Sequence, residues 1–165
     1  MTGVRPGRLH DLPALTDLYN HYVRSGAVTF DVDEFTVEAR RHWFDHYAPT
    51  GPHRLLVAVD GDDVLGYVTS GPLRPKPAYA TSVETTVYLR PDATGRGLGT
   101  LLYRRLFEVL AGEDLHRAFA GVALPNDASE ALHRRVGFTE LGTYGEVGRK
   151  FGRYWDVRWF ERPLP

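Results

Sequence analysis

The chain has 165 residues, 42% apolar and 25% charged, with 20 basic against 21 acidic side chains and a net charge of −1. That length predicts a single domain over residues 1–165 with a real core, and the even charge balance gives no pull toward nucleic acid or an anionic membrane. Cysteine is absent, which excludes disulfides, thiolate nucleophiles and cysteine-held zinc. With no stretch apolar enough to span a bilayer and no signal-like N-terminus, the expected location is cytoplasmic.

In chain order, Asp11 is placed to cap a helix with apolar positions at Leu12, Leu15, Leu18, Tyr19, Tyr22 and Val23. After a loop at 26–31, residues Thr36 to Tyr47 predict a second helix. Arg54 to Asp60 and Val64 to Ser70 read as strands joined by a short turn at Gly61, Asp62 and Asp63. Three prolines (Pro72, Pro75 and Pro77) predict a stiff extended loop over 71–77. Tyr79 to Leu89 reads as a long strand.

Next comes a glycine-rich turn, Pro91 to Gly99, and then a helix with Leu98, Leu101, Leu102, Leu106, Val109 and Leu110 at helical spacing. Arg117 to Leu124 is a further strand, and Asp127 to Val136 a short helix closed by Gly137. In the tail, Trp155, Val157 and Trp159 alternate onto one strand face. The pattern predicts an α/β fold, a mixed sheet with helices on both faces.

Gly95, Gly97 and Gly99 let backbone N–H groups turn outward where the helix starts. Unpaired N–H groups and the helix dipole both suit a phosphate or pyrophosphate there. A Walker loop would need Lys after the last glycine, and here Thr100 follows. A Rossmann loop would need G-x-G-x-x-G in a first βαβ unit, and here the spacing is G-x-G-x-G past the midpoint.

The segment Thr94 to Gly99 instead resembles the pyrophosphate loop of the GNAT acetyltransferases, Gln/Arg-x-x-Gly-x-Gly/Ala, with Thr94 departing from the usual Gln/Arg. A second GNAT pattern, Asn-x-x-Ala-x-x-Leu-Tyr-x-x-x-Gly-Phe, is matched at Asn126, Leu132, Gly137 and Phe138, with Ser129 for the Ala and His133 for the Tyr. Segments 71–79, 83–88, 97–103, 124–127 with His133, and 150–156 are similar to the phosphinothricin N-acetyltransferases, relatives of the methionine sulfoximine and sulfone enzymes. The resemblance implies a GNAT fold with a mostly antiparallel twisted sheet, acetyl-CoA as donor, a small amino acid analogue as acceptor and a homodimer.

It also implies residue roles. Glu84 would be the base that takes a proton from the acceptor amine, which needs a carboxyl pKa raised by burial. His133 stands where many GNAT enzymes place a tyrosine that protonates the departing thiolate, and it could instead be the base. Tyr103, read as lying on the flank of its helix, would touch the acetyl group or the coenzyme.

Gly95, Arg96, Gly97, Leu98, Gly99 and Thr100 would hold the pyrophosphate, with Arg96 or Arg90 adding charge. Val87, Tyr88 and Leu89 would pair with the pantetheine amides like an added strand, and one of their N–H groups would steady the oxyanion. Asn126 would bond the pantetheine or cap its helix. Phe30, Arg74, Lys76, Tyr79, Glu84 and Tyr88 match acceptor-binding positions, with Lys76 where the family usually carries Arg. Rival readings are acetylation of protein N-termini or another amine, and a non-catalytic acyl-CoA-binding module. His42 and His46 have metal-site spacing but no evident third ligand, so no metal is expected.

Overall fold

A computed structural model describes residues 1–165. Eleven main elements follow one another: β1 (Thr2–Pro6), α1 (Leu12–Ser25), α2 (Val37–Phe44), β2 (Arg54–Asp60), β3 (Asp63–Pro72), β4 (Ser82–Leu89), α3 (Leu98–Leu110), β5 (Arg117–Ala123), α4 (Asp127–Arg135), β6 (Thr139–Lys150) and β7 (Arg153–Pro163). The strands form one seven-stranded sheet in the order β1-β2-β3-β4-β5-β7-β6. Every pairing is antiparallel except β4 with β5.

Side chains alternate across a strand, so each central strand feeds two cores. On β2 and β3, Leu56, Ala58 and Val68 join Leu98, Leu102, Leu106 and Leu110 of α3 on one face. Their neighbours Leu55, Val57 and Tyr67 pack against Leu15 and Leu18 of α1 on the other. Helices cover both faces, which is why Leu55 to Ala58 is a continuous buried run. Arg40 of α2 is sunk among aromatic rings on the α1 side, its guanidinium 3.8 Å from the centre of Trp43 and 4.2 Å from that of Tyr19.

The main departures from the sequence expectation lie at ends and edges. The sequence pattern delimits no strand at β1 or β6. Both are outer strands of the sheet, and β6 is almost wholly exposed, carries three glycines and slips register twice against β7. Its pattern therefore has no alternating apolar face to detect. The helix expected over 36–47 is α2, and Thr36 caps it by accepting the Ala39 N–H at 3.1 Å. The strand expected from Tyr79 begins at Ser82, because Pro77–Tyr79 closes into a 3-10 turn. Asp11 precedes α1 as expected but does not cap it. Its carboxylate instead takes both Nη groups of Arg5, at 2.7 and 2.8 Å, and the Arg8 N–H at 2.7 Å.

Candidate active site

The site is made where β4 and β5 part. Arg90 N–H reaches Leu65 O at 2.8 Å, and the antiparallel register alternates from there. Glu84, Thr86 and Tyr88 therefore spend their backbone groups on β3, while Thr85, Val87 and Leu89 turn theirs toward β5. Yet β5 meets β4 only at Ser82, Val83 and Glu84. Beyond that point the strands diverge, and the Tyr22 hydroxyl donates to Leu89 O at 2.5 Å. A cavity of about 600 Å³ occupies the gap. Residues 84–89 form one wall, Gly121, Val122 and Ala123 of β5 another, and α4 with the glycine turn, Tyr22 and Val28 the rest.

The two faces of β4 look into different layers. Thr85 contacts Tyr103 of α3, and Val87 and Leu89 pack on the α3-side core. The Tyr88 ring lies in the α1 layer, 5.4 Å from Tyr19 and 5.5 Å from Tyr67. Glu84, two residues from Thr86 and four from Tyr88, shares the α1 face. His133 belongs to the α3–α4 face, and both it and Glu84 line the same cavity. The cavity therefore passes through the sheet, and one ligand can enter from each face.

On the α3 side, Gly95 and Gly97 adopt left-handed φ values of 72° and 78°. Gly97 precedes α3 with no side-chain cap, and Leu101 N–H is the first to bond back to it, at 3.1 Å. The Leu98, Gly99 and Thr100 N–H groups are the ones a helix start leaves without intrahelical partners. A Cβ at Gly95 or Gly97 would meet nothing within 4 Å, so the space before the turn is open. Gly99 differs, since a Cβ there would sit 2.7 Å from Leu132 Cδ2, and its small size lets α3 and α4 touch. A bare strand edge leading to a helix N-terminus fits an extended amide-bearing chain that ends in a pyrophosphate. Within 87–89, Val87 and Leu89 supply that edge, and the Tyr88 backbone is taken by β3.

His133 is 4% exposed. Its Nδ1 is 2.7 Å from Ser129 O, which can only accept, so Nδ1 carries the proton. Nε2 then accepts from the Tyr103 hydroxyl at 2.9 Å, and that hydroxyl is 3.1 Å from Thr85 Oγ1. Burial holds the imidazole below its ordinary pKa, only partly opposed by the bond to Ser129, so the ring is neutral at neutral pH. Both nitrogens are engaged inside the protein. Tyr103, expected on the flank of its helix against the ligand, is instead fully buried, stacked on Phe107, and outside the cavity wall. Its α3 position faces the core centre, where it supports His133 and has no surface for a ligand.

Glu84 is half-buried, and burial pushes its carboxyl pKa up, while the charge of Arg74 pulls it down. Tyr88 is pushed to about 12, chiefly by burial, so its phenol stays protonated. Asn126 Oδ1 caps α4 by accepting Ser129 N–H at 3.2 Å, and the residue also reaches the cavity.

Other expected site residues fall outside the wall. Arg96 is exposed, with the carboxylates of Asp60 and Asp92 close enough to feel its charge. Arg90 is bound by both oxygens of Asp92, at 2.9 and 2.6 Å. Phe30, Arg74, Lys76 and Tyr79 are exposed and outside the cavity lining, and Arg74 is near enough for its charge to act on Glu84. Phe30 lies so close on Gly148 that a Cβ there would meet its ring at 2.2 Å.

Sequence reasoning missed the clamp that holds this mouth. Lys150 is 4% exposed and donates to Gly26 O at 2.7 Å and Thr29 O at 2.9 Å. Tyr19 binds Thr29 Oγ1 at 2.7 Å and also Asp31, so the 26–31 loop is pinned from two elements. Its Val28 lines the cavity. A lone lysine in a polar, glycine-rich stretch carries no local signal for this, because its partners lie more than 120 residues away.

A family model described as acetyltransferase (GNAT) family matches residues 15–138. The phosphinothricin N-acetyltransferase of Streptomyces coelicolor is 63% identical over 98% of this chain and 95% of its own length. The L-methionine sulfoximine/L-methionine sulfone acetyltransferase of Pseudomonas aeruginosa is 36% identical over 98% of this chain and 94% of its own. Among solved structures, an acetyltransferase of Salmonella typhimurium with its cofactor acetyl-CoA superposes with a TM-score of 0.93, at 30% identity over 99% of this chain and 94% of that one. The split sheet and its glycine turn thus sit in a chain that belongs to the acetyltransferase (GNAT) family.

Proposed function

We propose that this protein transfers the acetyl group of acetyl-CoA to the amino group of a small amino acid analogue of the phosphinothricin, methionine sulfone or methionine sulfoximine type. The observation that carries the reading is the cavity through the sheet, with a phosphate-binding turn on one face and Glu84 on the other. The names of the relatives at 63% and 36% identity support the choice of acceptor.

In this reading the Leu98, Gly99 and Thr100 N–H groups hold the donor's pyrophosphate, and Val87 and Leu89 pair with its pantetheine amides. Asn126 adds a polar contact near the start of α4. The acceptor enters from the α1 face, between the clamped 26–31 loop and the basic 73–79 segment, where Arg74 and Lys76 face its acidic group and Phe30, Tyr79 and Tyr88 its body. The amine nitrogen attacks the thioester carbonyl, the C–N bond forms and the C–S bond breaks, and the thiolate leaves with the bond's electron pair. Glu84 takes the amine proton, since it alone of the two candidate bases stands on the acceptor face with a raised pKa. The Val87 N–H, turned toward the cleft, steadies the oxyanion.

His133 is a positioning residue in this scheme. Its one proton, on Nδ1, is held by Ser129 O and its Nε2 is taken by the Tyr103 hydroxyl, so the ring offers the cavity neither a free proton nor a free base, and it fixes the wall of the cleft. The protein works in the cytoplasm, with no metal, as a homodimer. The exposed apolar side chains of the β6–β7 hairpin, Leu141, Tyr144, Val147, Phe151 and Tyr154, support the dimer. The test is a thiol-release assay with acetyl-CoA against phosphinothricin, methionine sulfone, methionine sulfoximine, the common amino acids and an alanine-led peptide. Release with one or more of the three analogues well above the rest is expected. Release with none of them, or with the peptide alone, refutes the reading.

A further inference from the structure

A second hollow of about 460 Å³ adjoins the first, lined by Arg104, Phe107, Arg135, Val136, Gly137, Arg162 and Pro163. It holds three guanidinium groups and no carboxylate. This is unlike the charge pattern around it. Arg105, beside Arg104, is paired with Glu108 at 2.7 Å. Arg134, beside Arg135, is shared by Glu130 and Glu140 at 3.3 Å each. At both places the arginine turned away from the hollow is neutralised, and the one turned into it is left without a carboxylate partner.

The floor is built. Arg162 is fixed by a bond to Val136 O at 2.5 Å and lies 3.8 Å over the Phe107 ring. Gly137, at φ 93°, brings the backbone close, and even a Cβ there would sit 3.6 Å from the Arg162 guanidinium.

Arg135 lines both hollows. Ala128, Ala131 and Arg135 form one face of α4, at i, i+3 and i+7, and that face walls the main cavity. Gly99, at the phosphate turn, touches Leu132 of the same helix. Arg104 lies five residues further along α3, about 8 Å at 1.5 Å per residue. The basic hollow is therefore a short step from the pyrophosphate turn, on the outer side of it.

We propose that Arg104, Arg135 and Arg162 form a second anion subsite that takes a phosphomonoester on the nucleoside end of the donor, the 3′-phosphate of coenzyme A. The inference rests on the donor reading above and adds to it a residue set for the far end of the same ligand. A ribose joins the two phosphate groups of that molecule, so one phosphate at the α3 N-terminus brings the other toward Arg104 and Arg135. Fork-shaped guanidinium groups suit a phosphate's several oxygens better than ammonium groups do.

Calorimetric titration with coenzyme A and with 3′-dephospho-coenzyme A tests it, on the wild-type protein and on Arg104→Gln/Arg135→Gln. Partial exposure of the guanidinium groups limits the gain from a charged contact, so wild type should prefer coenzyme A by about tenfold. The double variant should bind both ligands alike, at the wild-type affinity for the dephospho form. Equal binding of the two ligands by wild type overturns the subsite, and would leave the hollow to free inorganic phosphate or to solvent. Unchanged preference in the double variant also overturns it. So does a loss shared equally by both ligands, which would assign the arginines to the pyrophosphate. Binding of neither ligand by wild type refutes the donor reading itself, and the subsite with it.

Discussion

Replacing Gly97 separates what the glycine turn does for folding from what it does for binding. Gly97 has φ 78° and ψ 3°, a left-handed conformation that costs an L-residue roughly 1–2 kcal/mol. No heavy atom lies within 4 Å of the Cβ it lacks, so no steric term adds to this. For a chain of this length about 1 kcal/mol lowers the melting temperature by roughly 2–4 °C, so Gly97→Ala should melt about 2–8 °C lower and remain folded. The open space is the cavity itself, and a methyl group in it stands where backbone must approach a phosphate.

Affinity for acetyl-CoA should fall tenfold or more, about 1.4 kcal/mol, and further for Gly97→Val, whose β-branch is less tolerant of positive φ. Gly99→Ala is the contrast. Its Cβ would press on Leu132 at 2.7 Å, so it should lose stability by overpacking, roughly 1–3 kcal/mol, as α4 is pushed aside. Melting curves and calorimetric titration on each variant give the two readouts. A folded Gly97→Val protein that binds acetyl-CoA as wild type does would refute the assignment of this turn to the donor.

Two further outcomes follow from the acceptor face. Glu84 has a raised carboxyl pKa and acts as carboxylate, so kcat/KM should fall as pH drops through that raised value; Glu84→Gln should lower kcat by about 10²–10⁴-fold and remove that limb of the profile, whereas near-normal activity at every pH excludes Glu84 as base. Lys150→Met keeps the aliphatic stem but leaves Gly26 O and Thr29 O unpaired, so it should cost about 1–3 kcal/mol of stability and raise the acceptor's KM while sparing the affinity for acetyl-CoA; a donor-side defect of equal size would contradict the clamp.

The donor half of the site was legible in the sequence because it is local. A strand, three glycines and an amphipathic helix lie within about thirty consecutive residues, and their spacing alone sets the turn and the helix start. The acceptor half depends on pairings across the chain. Glu84 can be placed on the α1 face only once its register with Gly71 is known, and Phe30 and Lys150 meet the mouth only after β6 has returned to the sheet. His133 shows the limit of a motif most directly. Its position was legible, but the proton on Nδ1 and the bond from Tyr103 depend on which face of α3 packs inward. The arginine-lined hollow left no periodic trace, since it needs α3, α4 and the end of β7 together.

The parting of β4 from β5 has a consequence for how this scaffold changes over time. What faces the donor is mostly backbone: strand-edge amides, helix-start amides and glycines. Under the proposed function, what faces the acceptor is side chains, those of Glu84 and Tyr88 on β4 and the rest on two connecting segments, 26–31 and 73–79, which contribute little to either core. Substitutions in those segments can redirect the enzyme to a new amine without touching the half that supplies the acyl group. Selection for a new acceptor, natural or in the laboratory, should therefore concentrate its changes there and at the clamp behind them, and leave Val87, Leu89 and residues 94–100 as they are.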